Sequence, residues 1–350
     1  MDPTILRIID ANLNRAREGL RVLEEYARLS LDDAALTERI KQLRHDLTTA
    51  GKALGVEAAL AARDIEHDVG TEISTDAERS RASIEAVAAA AAKRASEALR
   101  CIEEYGKLVD PRAAARVEQL RYRLYAVEQD SLVAAPLRRR LREARLHVLI
   151  TESLCRGPWL TVCEQAVAGG ADVIQLREKT LSDRELLERA RRLRELTGRM
   201  GVLFMVNDRP DIARLCEADG VHVGQDDMDV SLARRIVGPR GLVGKSTHSV
   251  EQARRAIAES PDYVAAGPMF ASSTKPDVEV QGPRLLAAVA AMTDLPVVAI
   301  GGIDSTNAAT LAASRPFQAA VCHSVIGSPE PAVAARTIKG CLGRAFGATS

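Results

Sequence analysis

Three polar residues occupy alternate positions directly after a short apolar run, in the segment Gln175-Leu176-Arg177-Glu178-Lys179. Side chains of a β-strand alternate between its two faces, so Gln175, Arg177 and Lys179 are expected on one face. Two cations and an amide that face one cavity suit a polyanion such as a diphosphate, because the burial of unpaired charges is costly. The alternative is an exposed edge strand whose charges are solvated.

Two acidic residues, Asp208 and Asp227, each follow a predicted strand, in the motifs 207–209 (Asn-Asp-Arg) and 225–227 (Gln-Asp-Asp). Short carboxylates suit Mg²⁺, which prefers one or two carboxylates together with phosphate oxygens. Each aspartate could instead cap the helix that follows it. Because two aspartates follow neighbouring strands, the pattern favours the metal site.

Gly301-Gly302 follows another predicted strand and would let backbone N–H groups approach a monophosphate. Ser324 follows the last predicted strand and could add a hydroxyl group. The segment 244–246 (Gly-Lys-Ser) resembles the end of a nucleotide-binding P-loop, but Pro239 replaces the first glycine of that motif. We therefore expect no P-loop, and we expect His222 to be a hydrogen-bonded core residue rather than a catalyst.

Eight predicted strands would position these residues, each followed by a helical pattern. They are 146–151, 173–177, 202–207, 220–224, 242–246, 263–268, 297–301 and 318–323. Eight such units in about 200 residues predict a (β/α)8 barrel, an α/β fold whose sites lie at the carboxyl ends of the strands. The polar motifs described above all lie at such ends.

The first part of the chain is predicted to be an all-helical bundle with an internal repeat. The sequence RAREGLRVLEEY at 15–26 recurs as RASEALRCIEEY at 94–105, and Gln-Leu-Arg at 42–44 recurs at 119–121. Each half is therefore expected to be a helical hairpin, and the two halves to be related by a pseudo-twofold axis. The expected domains are 1–130 (helical), 131–144 (linker) and 145–350 (barrel).

Composition limits the class of protein further. Lys plus Arg and Asp plus Glu both number 48, so the net charge is zero and nucleic acid is not an expected partner. The six cysteines form no CxxC pair, which favours reduced thiols in a cytoplasmic protein. No segment is apolar over a length that would cross a membrane. The sequence does not determine the oligomeric state, and a homo-oligomer remains open.

Taken together, the motifs resemble the thiamine phosphate synthase family over residues 146 to about 343. They are QLREK at 175–179, NDR at 207–209, GVHVGQDD at 220–227, GKSTHS at 244–249, STKP at 273–276 and AIGGI at 299–303. The resemblance implies a (β/α)8 barrel that joins hydroxymethylpyrimidine diphosphate to thiazole phosphate and releases pyrophosphate. Two alternatives are a related thiazole tautomerase and a non-catalytic sensor of phosphate ligands.

The same resemblance implies a role for each matching residue. The pyrimidine diphosphate would contact Gln175, Arg177, Lys179, Asn207, Ser246 and Lys275, and the thiazole phosphate would contact Ser272, Thr274, Gly302 and Ser324. Asp208 and Asp227 would bind Mg²⁺. Lys275, Arg177 and Ser246 would be the catalytic residues, in a dissociative reaction that passes through a pyrimidine carbocation.

The helical part resembles the ThiD2 family through the motifs at 10–28, 42–47 and 63–71. That resemblance implies a hydroxymethylpyrimidine phosphate kinase that uses ATP. The candidate residues for a phosphate and metal site are Asn12, Arg15, Arg44, Arg63, Asp64 and Asp68. The alternatives are a solvated connection at 63–71 and a dimerisation or regulatory domain without chemistry.

Overall fold

The computed structural model describes residues 2–55, 80–271, 279–313 and 317–344. The chain forms two compact units, Met1–Pro136 and Leu137–Ser350. Six of the predicted site residues lie outside the described residues: Arg63, Asp64, Asp68, Ser272, Thr274 and Lys275.

The first unit is helical in its described residues, as predicted. Its helices are α1 (Pro3–Glu25), α2 (Ala34–Ala53), α3 (Ile84–Gly106) and α4 (Pro111–Gln129), and π-helical turns cover Tyr26–Ser30 and Asp130–Ala134. All four helices begin after a capping side chain, which accepts a hydrogen bond from the first turn. These caps are Asp2, Asp33, Ser83 and Asp110.

Helices α1 and α3, which carry the repeated sequences, cross closely in this unit. A Cβ atom on Gly19 would lie only 2.6 Å from the Ala91 carbonyl oxygen and 2.9 Å from the Ala95 Cβ. Leu13 and Leu20 of α1 are fully or almost fully buried in the core of the helical unit, as is Leu99 of α3. The small residues therefore allow the close crossing, and the leucine stripes fill the space beside it.

The second unit is a closed barrel of eight parallel strands that pair in chain order, which confirms the predicted fold. Strands β1 to β8 are Leu146–Ile150, Val173–Leu176, Leu203–Asn207, Gly220–Val223, Leu242–Thr247, Tyr263–Ala266, Val297–Ile300 and Gln318–Val321. Since β2 pairs with both β1 and β3, the alternative of an exposed edge strand at 173–177 is wrong.

Helices surround the barrel. They are α6 (Trp159–Ala168), α7 (Asp183–Met200), α8 (Pro210–Leu215), α9 (Val230–Val237), α10 (Val250–Ala258), α11 (Gly282–Ala290), α12 (His323–Ile326) and α13 (Pro331–Arg344), with 3-10 turns at Glu152–Leu154 and Ala308–Ala313. Strand residues alternate between a core shared with these helices and a smaller core inside the barrel.

The segment 131–144, predicted as a linker, is largely helical, because α5 covers Ala135–Glu143. Leu141 belongs to the interior core of the barrel, and its carbonyl oxygen accepts a 2.6 Å hydrogen bond from Gln318 Nε2. Since Gln318 is the first residue of β8, α5 lies against the amino-terminal end of the barrel. Its arginines suggest a solvated turn, whereas its apolar residues pack on the barrel.

No helix in the described part of the chain is long and apolar enough to cross a membrane.

Candidate active site

A cavity of about 500 Å³ lies at the carboxyl ends of the barrel strands. Six of the residues predicted from sequence line it: Gln175, Arg177, Asn207, Ser246, Gly302 and Ser324. They come from β2, β3 and β5 and from the segments that follow β2, β7 and β8. Barrel closure therefore brings together residues that are up to 149 positions apart in sequence.

Gln175 and Asn207 form a hydrogen-bonded pair across β2 and β3. Gln175 is 4% exposed, and its Nε2 donates to Asn207 Oδ1 at 2.9 Å. With this assignment, the Gln175 carbonyl oxygen remains an acceptor and the Asn207 amide remains a donor. The pair can therefore present both kinds of hydrogen-bonding group to a ligand.

Arg177 lines the same cavity, and its backbone is held by β1. Its N–H donates to the Ile150 carbonyl oxygen at 2.8 Å, and its own carbonyl accepts from Thr151 Oγ1 at 2.7 Å. Among the residues that the structure describes, no carboxylate forms an ion pair with Arg177. A guanidinium without a protein counterion beside a cavity suits a phosphate group.

Glu178 does not line the cavity, as strand alternation predicts, and it connects the 3-10 turn after β1 to helix α7. Its Oε1 accepts from the Glu152 backbone N–H at 2.8 Å and from Arg189 Nη1 at 2.5 Å. The guanidinium of Arg189 also lies 5.0 Å from the centre of the Trp159 ring. This network anchors the backbone between Arg177 and Lys179.

Lys179, Asp208 and Asp227 form a charged cluster at the ends of β2, β3 and β4. Lys179 pairs with Asp208, and the Asp227 carboxylate lies close enough to Asp208 for the two groups to influence each other's pKa. Asp227 also accepts a hydrogen bond from the Gly224 N–H at 2.7 Å. The residue before α8 is Arg209 and the residue before α9 is Asp229, so the alternative of a helix cap at Asp208 or Asp227 is wrong.

The two carboxylates of this cluster titrate differently. Burial raises the pKa of Asp208, and the charge of Asp227 adds to this effect, whereas Lys179 opposes it. Burial alone would also raise the pKa of Asp227, but hydrogen bonds with Asp208 and the Gly224 N–H outweigh it and lower that pKa. The two carboxylates therefore repel each other when both are ionised, and either a proton or a bound cation relieves this repulsion.

Gly301 and Gly302 make the close turn after β7. Their φ values are +101° and +62°, a region that favours glycine. A Cβ on Gly302 would lie 2.3 Å from the Ala271 carbonyl oxygen, so a side chain would displace backbone at this edge of the cavity. Ser324 Oγ donates to the Ile303 carbonyl oxygen at 2.8 Å, which fixes the serine beside the same turn.

Sequence reasoning did not name His248 or Lys245 as site residues, although both lie in the motif at 244–249. His248 lines the cavity, and its Nδ1 lies 2.7 Å from the Gly267 carbonyl oxygen. Lys245 is only 4% exposed, its Nζ reaches the Met228 carbonyl oxygen at 3.5 Å, and its charge lowers the pKa of Asp227. Lys245 lies inside β5, where alternation directs its side chain away from the barrel interior.

His222 is a buried, hydrogen-bonded residue of β4, and it also lines the cavity.

The described candidates in the helical unit have structural partners or lie on the surface. Arg44 pairs with the buried Glu24. Asn12 Nδ2 donates to the Ile8 carbonyl oxygen at 2.9 Å within its own helix, and Arg15 is exposed. The recurrence of Arg44 as Arg121 has a structural explanation, because Arg121 pairs with Glu103 in the second half as Arg44 does with Glu24.

A parallel (β/α)8 barrel with a guanidinium, paired amides and a glycine turn around one cavity at the carboxyl ends of its strands has the site architecture of the (β/α)8-barrel enzymes. A family model described as thiamine monophosphate synthase matches residues 146–325, and one described as the ThiD2 family matches residues 7–130.

Full-length relatives support the same assignment. A thiamine-phosphate synthase of Thermosynechococcus vestitus is 43% identical, over 95% of this chain and 93% of its own. One from Rhodopirellula baltica is 43% identical, over 89% and 85%. The chain belongs to the thiamine-phosphate synthase family, whose members are transferases, and carries a ThiD2-family region ahead of the barrel.

A solved structure resembles the barrel. It is the thiamine phosphate pyrophosphorylase from Pyrococcus furiosus, with 32% identity and a TM-score of 0.55. The match covers 59% of this chain and 98% of that one.

Proposed function

We propose that the barrel couples hydroxymethylpyrimidine diphosphate with thiazole phosphate to give thiamine phosphate and pyrophosphate. The observation that carries the proposal is the cavity in which Arg177, with no carboxylate partner in the described residues, lies beside the Gln175–Asn207 pair. The family membership supports it, and the names of full-length relatives favour a synthase over a tautomerase or a sensor.

Each predicted residue has a role in this proposal. Arg177, Lys179 and Lys275 would hold the diphosphate, and Gln175, Asn207 and Ser246 would orient the pyrimidine and its diphosphate. Ser272, Thr274, Gly302 and Ser324 would hold the thiazole phosphate. The glycine turn supports the last role, since backbone can approach a phosphate closely there.

The pair Asp208–Asp227 fits a divalent cation. Its donors are carboxylate oxygens, and their mutual repulsion favours a bound positive charge. The described residues hold no cluster of three or more His, Cys, Asp or Glu side chains, so phosphate oxygens and water would complete the coordination. Mg²⁺ bound there would supply charge that stabilises the departing pyrophosphate.

The proposed reaction requires charge stabilisation and no general base. The bond from the pyrimidine methylene carbon to the diphosphate oxygen breaks, and both electrons leave with pyrophosphate. The thiazole nitrogen then donates its lone pair to the carbocation and forms the new C–N bond. Arg177, Lys179 and Lys275 would offset the charge that accumulates on the leaving group.

We also propose that the helical unit phosphorylates hydroxymethylpyrimidine phosphate with ATP, which would supply the diphosphate that the barrel consumes. The support is the ThiD2 match over 7–130. The pairing of Arg44 with Glu24 favours the alternative, a structural or regulatory unit, because it uses one candidate residue for packing. Substitution of Asp64 and Asp68 by Asn should abolish the phosphorylation and leave coupling of supplied diphosphate intact.

The proposed partners are small-molecule phosphates and diphosphates, with Mg²⁺ as cofactor and ATP as co-substrate. All six cysteines are free thiols, which suits a reducing compartment such as the cytoplasm.

One experiment tests both activities. Full-length protein is incubated with hydroxymethylpyrimidine monophosphate, thiazole phosphate, ATP and Mg²⁺, and mass spectrometry follows the diphosphate and thiamine phosphate. Thiamine phosphate from the monophosphate would support both proposals. Product only from supplied diphosphate would contradict the kinase proposal, and no product from supplied diphosphate would contradict the synthase proposal.

A further inference from the structure

A chain of hydrogen bonds extends through the barrel interior from Tyr263 to the cavity wall. The Tyr263 hydroxyl lies 2.9 Å from His222 Nδ1, and His222 Nε2 lies 2.7 Å from Ser246 Oγ. These residues belong to β6, β4 and β5, and both His222 and Ser246 line the cavity. The Tyr263 ring fits because Gly244 has no side chain.

The direction of these hydrogen bonds follows from the burial of Tyr263, which is only 1% exposed. Burial raises the pKa of the Tyr263 hydroxyl far above its usual value, so the hydroxyl keeps its proton and needs an acceptor. His222 Nδ1 is the acceptor within reach in the described part of the chain. The imidazole proton is therefore on Nε2, which donates to Ser246 Oγ.

The reverse arrangement is unfavourable. If Ser246 donated to His222 Nε2, then Nδ1 would carry the proton and donate to Tyr263. The hydroxyl hydrogen of Tyr263 would then be buried without an acceptor, which costs more than the loss of a solvated hydrogen bond. In the favoured direction, the hydroxyl hydrogen of Ser246 is available to a ligand. The backbone of Ser246 is also fixed, because its carbonyl oxygen accepts a 2.5 Å hydrogen bond from Gln225 Nε2.

We propose that Tyr263 and His222 are positioning residues that keep Ser246 as a hydrogen-bond donor toward a ring nitrogen of the pyrimidine substrate. This inference rests on the proposed function of the barrel. In this arrangement His222 Nδ1 accepts from Tyr263 and Nε2 donates to Ser246 Oγ. The serine hydroxyl hydrogen is therefore directed to the substrate rather than to His222.

A double-mutant cycle tests whether Tyr263 affects the reaction through Ser246. Tyr263→Phe should lower kcat/KM for hydroxymethylpyrimidine diphosphate by roughly tenfold, the value of one hydrogen bond, and leave the KM for thiazole phosphate unchanged. In a Ser246→Ala background, Tyr263→Phe should cause no further loss. Gln318→Met is the control, because it removes two buried hydrogen bonds outside the cavity, to His147 and to the Leu141 carbonyl, and its effect should add to that of Ser246→Ala.

Histidine ¹⁵N spectra test the structural part independently of activity. The full-length protein should show His222 with its proton on Nε2, and Tyr263→Phe should shift the signal toward the Nδ1–H form. The signal is assigned by its loss in His222→Gln. This variant retains a donor near the Nε2 position, so it should keep more activity than His222→Met.

Three results would overturn the inference: unchanged kinetics in Tyr263→Phe, an equal loss in the Ser246→Ala background, or an Nδ1–H proton in the unmodified protein. Failure of the unmodified protein to make thiamine phosphate from supplied diphosphate would instead overturn the proposed function, and the ¹⁵N spectra would still decide the direction of the hydrogen bonds.

Discussion

Asp46 and Arg123 occupy the same position in the two halves of the helical unit and pair with each other, with Arg123 Nη1 2.6 Å from Asp46 Oδ2. They are 77 residues apart, the same spacing that separates Gln42 from Gln119. The pseudo-twofold axis therefore passes near this ion pair. The bond from Arg123 also lowers the pKa of Asp46.

Ion pairs of the helical unit should differ in strength according to burial. Arg123→Leu should cost less than about 1 kcal/mol, because the Arg123 side chain is 47% exposed. Arg121→Leu should cost roughly 2–3 kcal/mol, since among the described residues it leaves the buried Glu103 with the more exposed Arg100 and Lys107 as ion-pair partners. Hydrogen exchange of α3 and α4 amides in the full-length protein measures both effects, and equal effects would contradict the prediction.

Substitution of Gly302 by Ala should weaken the binding of thiazole phosphate, whereas the same substitution at Gly201 should not. Gly201 also has a positive φ, +69°, but a Cβ added there would meet no atom within 4 Å, so Gly201→Ala measures backbone strain alone, about 1 kcal/mol. Gly302→Ala adds a clash with the Ala271 carbonyl oxygen. We expect the KM for thiazole phosphate to rise at least tenfold in Gly302→Ala and to stay unchanged in Gly201→Ala. A tenfold rise corresponds to a loss of roughly 1.4 kcal/mol of binding free energy. Steady-state kinetics measure this KM in both variants. An equal rise in KM in Gly201→Ala would contradict the prediction.

Loss of one carboxylate from the Asp208–Asp227 pair should weaken the response to Mg²⁺. Asp208→Asn should raise the Mg²⁺ concentration for half-maximal activity by roughly tenfold or more. Asp226→Asn is the matched control, because Asp226 is an exposed neighbour in the same motif. Titration of activity with Mg²⁺ measures the difference, and identical titration curves for the two variants would argue against a metal site at this pair.

The barrel should lose stability as the pH falls from about 6.5 to 4, because burial lowers the pKa of His147 from 6.5 to about 4. In that range the unfolded chain binds a proton at His147 and the folded barrel does not, so acid favours unfolding. Between pH 7.5 and 5, this residue should account for about 2 kcal/mol of the unfolding free energy.

Fluorescence of Trp159, the single tryptophan, reports barrel unfolding in urea. His147→Gln provides the control, since its amide can still donate to Gln318 and does not titrate. The difference in unfolding free energy between pH 7.5 and 5 should be smaller in this variant. An unchanged difference would show that His147 does not contribute.

The barrel and its order of strands were predictable from the sequence because each strand is a short apolar run and each polar motif follows one. In a parallel barrel, all strand ends with polar motifs meet at one rim, so the placement of Gln175, Arg177, Asn207 and Ser246 in one cavity followed from spacing alone. The helical repeat was similarly visible, because packing stripes and their charged neighbours recur together.

Pairings between distant residues depended on the tertiary structure. Tyr263, His222 and Ser246 lie on three strands, and only barrel closure and register bring their polar atoms within hydrogen-bonding distance. The helix at Ala135–Glu143 was missed because its arginines resemble a solvated turn, whereas its stability comes from apolar residues that pack on the barrel. Local periodicity determines the elements, but side-chain pairing is a long-range property of the packed fold.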